Sequence, residues 1–469
     1  MYRRTIKALV MALLKMFHFC ASVAGFVSVW NIFYVAQDLL QLGVNISLMM
    51  FAVYTSVLLF LYFTYDVYNI GYARATDNAF GQVLSNVISA GIVYVIGSIL
   101  FGGFLNPLPL LGLCVAQGLW DVLWLNIAKL VYYRFYKRRR TAVIYRNQED
   151  LKRVEEIRYL TRKFDIQKLI EDPGDDFKTL EEDLEGFEAV IVSGVNASLR
   201  NGIAKYCIEH DVRGYFAPHV GDIIMQGAKH ISSFRVPVFS VRRAFKSPIY
   251  LFLKRLFDIV VSLSAIVILS PVYLCTALAV KLYDRGPVLY KQVRLTKDGK
   301  AFNVLKFRSM RVDAEKDGVA RLAAENDDRI TPVGKFIRAC RLDELPQFFN
   351  IFKGDMSFVG PRPERPEIAA QYENEMPAFS LRLQVKAGLT GFAQVYGKYN
   401  TTPYDKLQMD LMYVNKMSVS EDLRLIFATL RILFLPESTE GIADGQTTAM
   451  KSDEKGKAGE MSFSCDKAE

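Results

Sequence analysis

Residues 256–280 read LFDIVVSLSAIVILSPVYLCTALAV and form a continuous apolar run. The run is long enough to cross a bilayer, which takes roughly 20 apolar residues in a helix. Ser270 and Pro271 lie in its middle. Proline removes one helical hydrogen bond and clashes with the preceding turn, and a serine hydroxyl can donate to a carbonyl that this frees. The sequence therefore predicts a membrane helix that bends at Ser270 and Pro271.

Basic residues flank this run on both sides. They are Lys246, Lys254 and Arg255 before it and Lys281, Arg285, Lys291 and Arg294 after it. Because Lys and Arg beside a membrane segment favour the cytoplasmic side, both ends of the run are predicted to face the cytoplasm. A re-entrant hairpin over residues 256–280 meets this requirement. The alternative is a kinked helix that spans the membrane and places the rest of the chain on the far side.

Four more apolar stretches occupy the N-terminal part of the chain, at residues 16–36, 46–65, 83–104 and 110–128. Each is close to the length of a membrane span. Basic residues precede the first stretch and follow the fourth, and Arg74 lies between the second and third, so both ends of this block are predicted to be cytoplasmic. Residues 1–140 are therefore predicted to form a four-helix transmembrane block. Neither a cleaved signal peptide nor the buried helices of a soluble core fits as well.

The overall composition is typical of a membrane protein. Of the 469 residues 51% are hydrophobic, and the mean hydropathy is +0.14. The net charge of +9 suits a chain that contacts anionic membrane lipids and handles phosphates. We expect no nucleic-acid partner, because the chain has neither zinc-finger spacing nor an aromatic-basic RNA motif. The six cysteines include no C-x-x-C pair, so neither a disulfide framework nor a zinc site is expected.

Residues 141–245 change character to short β-rich runs that alternate with polar helical patterns, as in Thr141–Tyr145 and Ala189–Val192. Strands that alternate with helices predict a parallel, Rossmann-like α/β unit. Dinucleotide-binding units carry a glycine-rich first turn, but Ile144 is followed by YRNQED. The alternative to a nucleotide-binding domain is a spacer or an oligomerisation domain without a ligand, through which the protein could form a homodimer.

Residues 250–436 are predicted to form a mainly helical catalytic domain that includes the re-entrant helix. Within it, residues 405–435 have the pattern of one or two amphipathic helices, whose apolar side chains suit either the membrane interface or a buried face. These side chains are Tyr413, Leu423, Ile426, Phe427 and Leu430. The polar tail at residues 437–469 is predicted to be disordered.

One acidic pair in this domain, Asp343 and Glu344, stands among cationic residues. All four histidines precede residue 250, so the chemistry of the domain must use carboxylates, hydroxyls, Lys or Arg. An Asp with an ordinary pKa of about 3.9 is an anion at neutral pH and can attack phosphorus without a general base. A carboxylate with waters and phosphate oxygens is the usual Mg²⁺ site, which suits Glu344. Taken alone, the dipeptide is more typical of a solvated helix segment than of a catalytic site.

Four cationic side chains are candidates for neutralising the substrate phosphates. This neutralisation is the main contribution of a protein to phosphoryl transfer. The candidates are Lys306, Arg308, Arg338 and Arg362. For any one of them, a solvated surface cation near the membrane is the alternative interpretation.

At these residues the chain resembles the polyprenyl-phosphate hexose-1-phosphate transferases, which are monotopic phosphoglycosyl transferases of bacterial polysaccharide synthesis. The resemblance rests on an ordered series of motifs: Lys254–Asp258, Ser270-Pro271, Gly286–Val288, Gln292–Arg294, Lys306–Met310, Asp343–Gln347, Gly354–Ser357, Val359–Pro363 and Lys386–Gly391. These motifs span about two fifths of the chain. The N-terminal helices and the α/β unit are similar to the long subgroup that includes galactose and glucose phosphate transferases.

The resemblance implies a ping-pong reaction at the cytoplasmic face of the bacterial inner membrane. Asp343 would attack the sugar-bearing phosphate of a UDP-sugar, expel UMP and pass the phosphosugar to undecaprenyl phosphate. Glu344 would help to hold Mg²⁺, and Lys306, Arg308 and Arg362 match the basic positions of the family motifs. This reaction begins the synthesis of exopolysaccharide, capsule or O-antigen. Two rival functions are a non-catalytic scaffold for polysaccharide assembly and a glycosyltransferase that releases UDP.

Overall fold

A computed structural model describes residues 2–35, 44–71, 75–160, 163–174, 177–231, 238–243, 246–312, 314, 329–397 and 401–432. The chain divides into two compact units, residues 1–223 and residues 224–469. The predicted tail at 437–469 lies outside the described residues.

The first unit begins with four long helices: α1 (Tyr2–Trp30, continued by a π-helical turn at Asn31–Val35), α2 (Val44–Thr64), α3 (Ala75–Phe101) and α4 (Leu108–Phe135). All four are long and apolar enough to cross a membrane. They overlap the four predicted stretches, although α1 starts earlier and α4 ends later than its stretch. The length and composition of these helices indicate a membrane protein.

The interior of this helical block contains a polar cluster among apolar and aromatic side chains. His18 of α1 and Asp121 of α4 are both fully buried, and His18 Nε2 lies 2.9 Å from Asp121 Oδ1. The other ring nitrogen lies 3.1 Å from the Tyr68 hydroxyl, and Asn86 of α3 donates to Asp121 Oδ2 at 2.8 Å. Exposed Leu, Val and Phe side chains cover the outside of the same helices. Ionisable groups in membrane helices generally pair in this way inside a bundle.

A four-stranded parallel sheet with the order β2-β1-β3-β4 follows the helices. Its elements are β1 (Arg139–Tyr145), α5 (Gln148–Leu160), β2 (Phe164–Glu171), α6 (Phe177–Leu184), β3 (Ala189–Ser193), α7 (Ala197–Glu209) and β4 (Arg213–Phe216). Residues 141–144 of β1 and all of β3 are buried, as expected of continuous apolar runs in a parallel sheet. The predicted alternation of strands and helices is therefore confirmed.

The second unit starts within α8 (Val220–Gln226) and continues through the antiparallel pair β5 (Lys229–Ile231) and β6 (Val238–Ser240). Two helices follow, α9 (Pro248–Ile268) and α10 (Ser270–Asp284), which meet at an angle of 62°. Ser270 Oγ donates to the Val267 carbonyl at 2.8 Å. The predicted bend at Ser270 and Pro271 is confirmed, together with the predicted role of the serine hydroxyl. By its geometry the pair is either a broken span or a re-entrant loop.

The remaining elements of the second unit are mostly short. They are β7 (Leu289–Leu295), β8 (Ala301–Phe307), α11 (Pro332–Ala339), α12 (Gln347–Lys353), β9 (Ser357–Val359), α13 (Pro366–Glu375), β10 (Gly388–Thr390), α14 (Phe392–Tyr396), α15 (Pro403–Lys416) and α16 (Val419–Ile432). Strands β7 and β8 form an antiparallel hairpin, and β9 pairs in parallel with β10. Three 3₁₀ segments lie between these elements, at Lys297–Gly299, Leu342–Glu344 and Pro377–Gln384.

Polar contacts fix helix α9 to the rest of this unit. The buried Asp258 accepts hydrogen bonds from the Phe358 amide at 2.9 Å and from Ser357 Oγ at 3.2 Å. Arg255 donates to the Ile351 carbonyl at 2.8 Å. The apolar helix is therefore held against β9 and α12, which border the candidate site.

The amphipathic pattern at residues 405–435 corresponds to the two helices α15 and α16 as far as Ile432. Tyr413 is 1% exposed, and its hydroxyl donates to the Val359 carbonyl at 3.1 Å and contacts Asp422 Oδ1 at 2.8 Å. Leu425 is also fully buried beside it. Of the two interpretations of this pattern, the buried face is therefore the correct one for Tyr413.

Candidate active site

Three separate elements bring the predicted site residues together. Lys306 lies near the end of β8, Asp343 and Glu344 lie in the 3₁₀ turn Leu342–Glu344, and Arg362 follows β9. Arg341, just before the turn, has a left-handed backbone with φ of 56°. Such a conformation is uncommon outside glycine. It redirects the chain between α11 and the acidic pair.

Two cations hold Glu344. Lys306 Nζ lies 2.7 Å and Arg362 Nη2 lies 3.0 Å from the same oxygen, Glu344 Oε1. Burial opposes ionisation of this carboxyl, but the charges of Lys306 and Arg362 outweigh it and hold its pKa well below the usual range. Glu344 is therefore an anion at neutral pH with a fixed orientation.

Asp343, the preceding residue, has a different environment. Its side chain is 9% exposed and accepts no hydrogen bond from the residues that the structure describes. Burial raises the pKa of this carboxyl; Lys306 opposes the shift and Glu344 adds to it. The sequence argument assumed an ordinary Asp pKa, and the structure corrects that assumption because it depended on solvent exposure. A desolvated carboxylate without hydrogen-bond partners is a strong nucleophile once it is ionised.

A polar cleft opens beside Glu344. Its lining includes Arg294, Lys306, Glu344, Gln347, Arg362 and the backbone of Gly388. Three of these side chains are cations and one is an anion. This excess of positive charge suits a ligand that carries two phosphates, since desolvated Arg and Lys bind phosphate oxygens strongly.

Sequence reasoning did not assign Arg294 to the site, although it quoted the motif that contains it. Arg294 donates to the Pro363 carbonyl at 3.0 Å and to Gln292 Oε1. Burial, partly offset by Glu364, lowers its pKa to about 10. The alternation of side chains along a strand could have placed Arg294 at the site, because it puts Tyr290, Gln292 and Arg294 on one face of β7.

The structure does not bring Arg308 to the acidic pair. Arg308 is 8% exposed and forms an ion pair with Asp284 at the end of α10. A Cβ added to Gly286 would lie 2.1 Å from Arg308 Nη1, so the guanidinium packs directly on that glycine. In this arrangement Arg308 joins the end of α10 to the end of β8. Its predicted contact with substrate phosphate stays a prediction.

Arg338 does lie near the pair. Its charge lowers the pKa of Asp343, against the larger effect of burial. The Arg338 side chain makes no hydrogen bond or ion pair with the part of the chain that the structure describes. Its predicted contact with a substrate phosphate stays a prediction.

The site offers limited protein ligation for a metal. Among the described residues no group of three or more His, Cys, Asp and Glu side chains could hold a metal ion. Mg²⁺, however, is usually held by one or two carboxylates together with substrate phosphates and waters. Both cation contacts of Glu344 reach Oε1, so Oε2 is the oxygen that fits such a role.

The comparisons with known proteins agree with this geometry. Residues 249–436 match the family model of the bacterial sugar transferases. An exopolysaccharide production protein of Rhizobium leguminosarum bv. phaseoli is 43% identical over 189 residues, which cover 38% of this chain and 94% of that protein. The chain belongs to the bacterial sugar transferase family. The resemblance that the motifs indicated is therefore confirmed.

Two other family relatives are longer than the matched region. The UDP-N-acetylgalactosamine-undecaprenyl-phosphate N-acetylgalactosaminephosphotransferase of Aeromonas hydrophila is 43% identical over 190 residues, which cover 40% of this chain and 45% of the relative. The UDP-glucose:undecaprenyl-phosphate glucose-1-phosphate transferase of Escherichia coli (strain K12) is 42% identical over 211 residues, which cover 44% of each chain. The match therefore spans less than half of each of these relatives. All six predicted catalytic and phosphate-binding residues lie within residues 249–436.

Proposed function

We propose that this chain transfers hexose-1-phosphate, of the galactose or glucose type, from a UDP-sugar to undecaprenyl phosphate. The observation that carries the proposal is the contrast within the acidic pair. Glu344 is held by Lys306 and Arg362, whereas the neighbouring Asp343 accepts no hydrogen bond from the described residues. Glu344 is suited to holding the surrounding charges in place, and Asp343 is suited to attack on phosphorus. The names of the Aeromonas and Escherichia relatives support the same reaction class.

In the first step, a carboxylate oxygen of Asp343 attacks the sugar-bearing phosphorus of the UDP-sugar. A bond forms between Asp343 and this phosphorus, and the bond from phosphorus to the bridging oxygen breaks. The electron pair of that bond leaves with UMP. Arg294, Lys306 and Arg362 line the cleft beside the pair and would neutralise the charge of the diphosphate.

In the second step, a phosphate oxygen of undecaprenyl phosphate attacks the same phosphorus. The bond to Asp343 breaks, the carboxylate is restored, and the product is undecaprenyl diphosphate sugar. No proton transfer is needed at the attacking oxygen in either step, because both nucleophiles are anions. This agrees with the absence of histidine after residue 250.

Glu344 is the residue that would hold Mg²⁺ beside the substrate phosphates, and a bound Mg²⁺ would supply further neutralisation of their charge. The protein itself fixes the orientation of this carboxylate through Lys306 and Arg362.

We further propose that the protein lies in the bacterial inner membrane, with its active site on the cytoplasmic face. The helix pair α9–α10 is then a re-entrant hairpin, which the bend and the basic residues at both of its ends support. Helices α1 to α4 cross the same membrane. The parallel sheet of residues 139–216 is Rossmann-like, and without a glycine-rich first turn it is suited to homodimer formation rather than nucleotide binding.

The direct test is incubation of the purified protein and undecaprenyl phosphate with a panel of UDP-sugars. We expect release of UMP with one sugar and transfer of label to the lipid. Release of UDP would instead support the glycosyltransferase alternative. Absence of turnover with every sugar would support the scaffold alternative.

A further inference from the structure

The short segment that carries Arg362 is held by hydrogen bonds to its backbone carbonyls. Four successive carbonyls, those of residues 361–364, each accept a hydrogen bond. The donors are Gly388 N at 2.9 Å, Arg382 Nη2 at 2.8 Å, Arg294 Nη1 at 3.0 Å and Leu295 N at 3.0 Å, in that order. Two of these donors are guanidinium groups, that of the half-buried Arg294 and that of the buried Arg382, and burial of a guanidinium is a costly means of fixing a loop.

Arg382 is the more buried of the two guanidinium groups. Its side chain is 2% exposed, and Nε and Nη2 lie 2.8 and 2.7 Å from Asp410 Oδ2. Asp410 on α15 is 1% exposed. The guanidinium also lies over the Phe379 ring, 4.9 Å from its centre. Arg382 is therefore completely desolvated and has one fixed orientation.

Arg382 does not line the cleft beside Glu344, so it acts on the site only through its neighbours. In that direction it donates a hydrogen bond to the Arg362 carbonyl, and its Nη1 also lies 3.8 Å from Oε1 of Glu364, which in turn pairs with Arg294 at 3.8 Å. The Arg362 side chain is 45% exposed and reaches Glu344 from outside the core. A long, partly exposed side chain keeps one geometry only if its backbone is fixed, since each mobile bond adds conformational entropy.

We propose that Arg382, with Asp410 as its counter-ion, is a positioning residue that fixes the backbone of Arg362 so that the Arg362 guanidinium stays at Glu344 and the substrate diphosphate. This inference rests on the proposed function for its kinetic consequence. Its structural part concerns only the segment 360–364. Asp410 orients the guanidinium of Arg382, and Arg382 orients Arg362.

The experiment combines kinetics with a double-mutant cycle. Arg382→Met keeps the approximate size of the side chain but removes the charge and the guanidinium N–H donors. Arg382→Lys keeps the charge and a single donor group, the ammonium. We expect Arg382→Met to lower kcat/KM for UMP release at least tenfold and Arg382→Lys to restore part of the loss. In an Arg362→Ala background, Arg382→Met should lower activity clearly less than it does in the wild type, because its route through the Arg362 side chain is already gone and only the contacts through Glu364 remain. An equal loss in both backgrounds would overturn the proposal.

Hydrogen exchange of the segment 360–364 tests the structural part without any turnover. Pro361 and Pro363 have no amide proton, so the measurement follows the amide of Gly360 and the two amides that donate to carbonyls of the segment, those of Gly388 and Leu295. We expect these amides to exchange at least tenfold faster in Arg382→Met than in the wild type, and unchanged exchange would overturn the proposal. Asp410→Asn replaces Arg382→Met if the latter does not fold, with the same expectations. Lys353→Ala is the control, because Lys353 is 76% exposed and lies outside the site. A wild type that turns over no UDP-sugar would refute the proposed function, whereas the exchange measurement would still decide the role of Arg382.

Discussion

Lys306 Nζ lies 2.7 Å from Glu344 Oε1, and this contact separates the two carboxylates of the acidic pair into different electrostatic states. Glu344 is an ion-paired anion whose pKa is depressed. The neighbouring Asp343 is buried without a hydrogen bond from the described residues, and its pKa is raised. Two adjacent residues of similar chemistry are thus suited to different roles, which leads to predictions of opposite sign.

Asp343→Asn should abolish UMP release, with a loss of at least about 10³-fold, as expected when a nucleophile is removed. The same change should raise the thermal midpoint at pH 7. The raised pKa means that the ionised carboxylate destabilises the folded state at pH values above it, and Asn removes that cost. Activity assays and thermal denaturation of one preparation test both statements. Full activity would exclude Asp343 as the nucleophile, and a lower midpoint would contradict the electrostatic argument.

Glu344→Gln should destabilise the protein by about 1–3 kcal/mol, because Lys306 and Arg362 lose their charged partner. A depressed pKa contributes stability that is present above the unfolded value of about 4.3 and is lost as the pH falls through the folded value. The difference in unfolding free energy between wild type and variant should therefore stay constant from pH 7 to about 5 and shrink as the pH falls below about 4.3. Denaturant titrations at pH values on both sides of about 4.3 measure it, and a difference that stays constant below about 4.3 would argue against the ion pair.

The pH dependence of UMP release should report the ionisation of Asp343. Because its pKa is raised, activity should fall on the acid side at a higher pH than for an ordinary Asp. Lys306 lowers this pKa, so Lys306→Met should move the acid limb to still higher pH and also reduce the rate. Profiles of kcat/KM for the two proteins test this. An acid limb at the same pH in Lys306→Met as in the wild type would mean that the ionisation of another group controls the rate.

Arg308→Met should affect stability more than substrate binding. The ion pair with Asp284 lies between α10 and β8, and its loss should cost about 1–3 kcal/mol. The KM for the UDP-sugar should change less than in Arg362→Ala, whose side chain lines the cleft. Thermal midpoints and KM values for the two variants show whether Arg308 contributes to stability or to substrate binding. A KM increase as large as that of Arg362→Ala would restore the original prediction that Arg308 binds phosphate.

The proposed re-entrant hairpin predicts the location of the C-terminal part of the chain. A reporter fused after Pro436 should be cytoplasmic, as should one fused after Arg140. The residues that form the bend, Ser270 and Pro271, should be required for this result, because a straight helix of this length would span the bilayer. Replacement of both by leucine should move the first reporter across the membrane and leave the second in place. A periplasmic reporter in the wild type would contradict the hairpin.

Sequence reasoning was most successful where a single local pattern determines the structure. The apolar stretches predicted the helices α1 to α4, and Ser270 with Pro271 predicted the bend. The motifs predicted the site residues Asp343, Glu344, Lys306 and Arg362, which the structure brings together.

Features that depend on distant residues were not predicted. The pairing of Arg382 with Asp410 joins residues 28 positions apart, and neither stands in an informative motif. The raised pKa of Asp343 follows from burial, which spacing does not reveal. Arg308 was placed with the phosphate ligands because its motif is basic, but its partner Asp284 becomes a neighbour only when α10 packs beside β8.

The contact between His18 and Asp121 has a consequence for the biosynthesis of the protein. The two residues are separated by 103 positions, so at roughly 5–20 residues per second the ribosome takes about 5–20 s to synthesise Asp121 after His18. During this interval the imidazole of His18 lacks its carboxylate partner. The buried polar contact between α1 and α4 therefore cannot form until α4 has been synthesised. Assembly of this part of the protein is complete only when its last helix has been made.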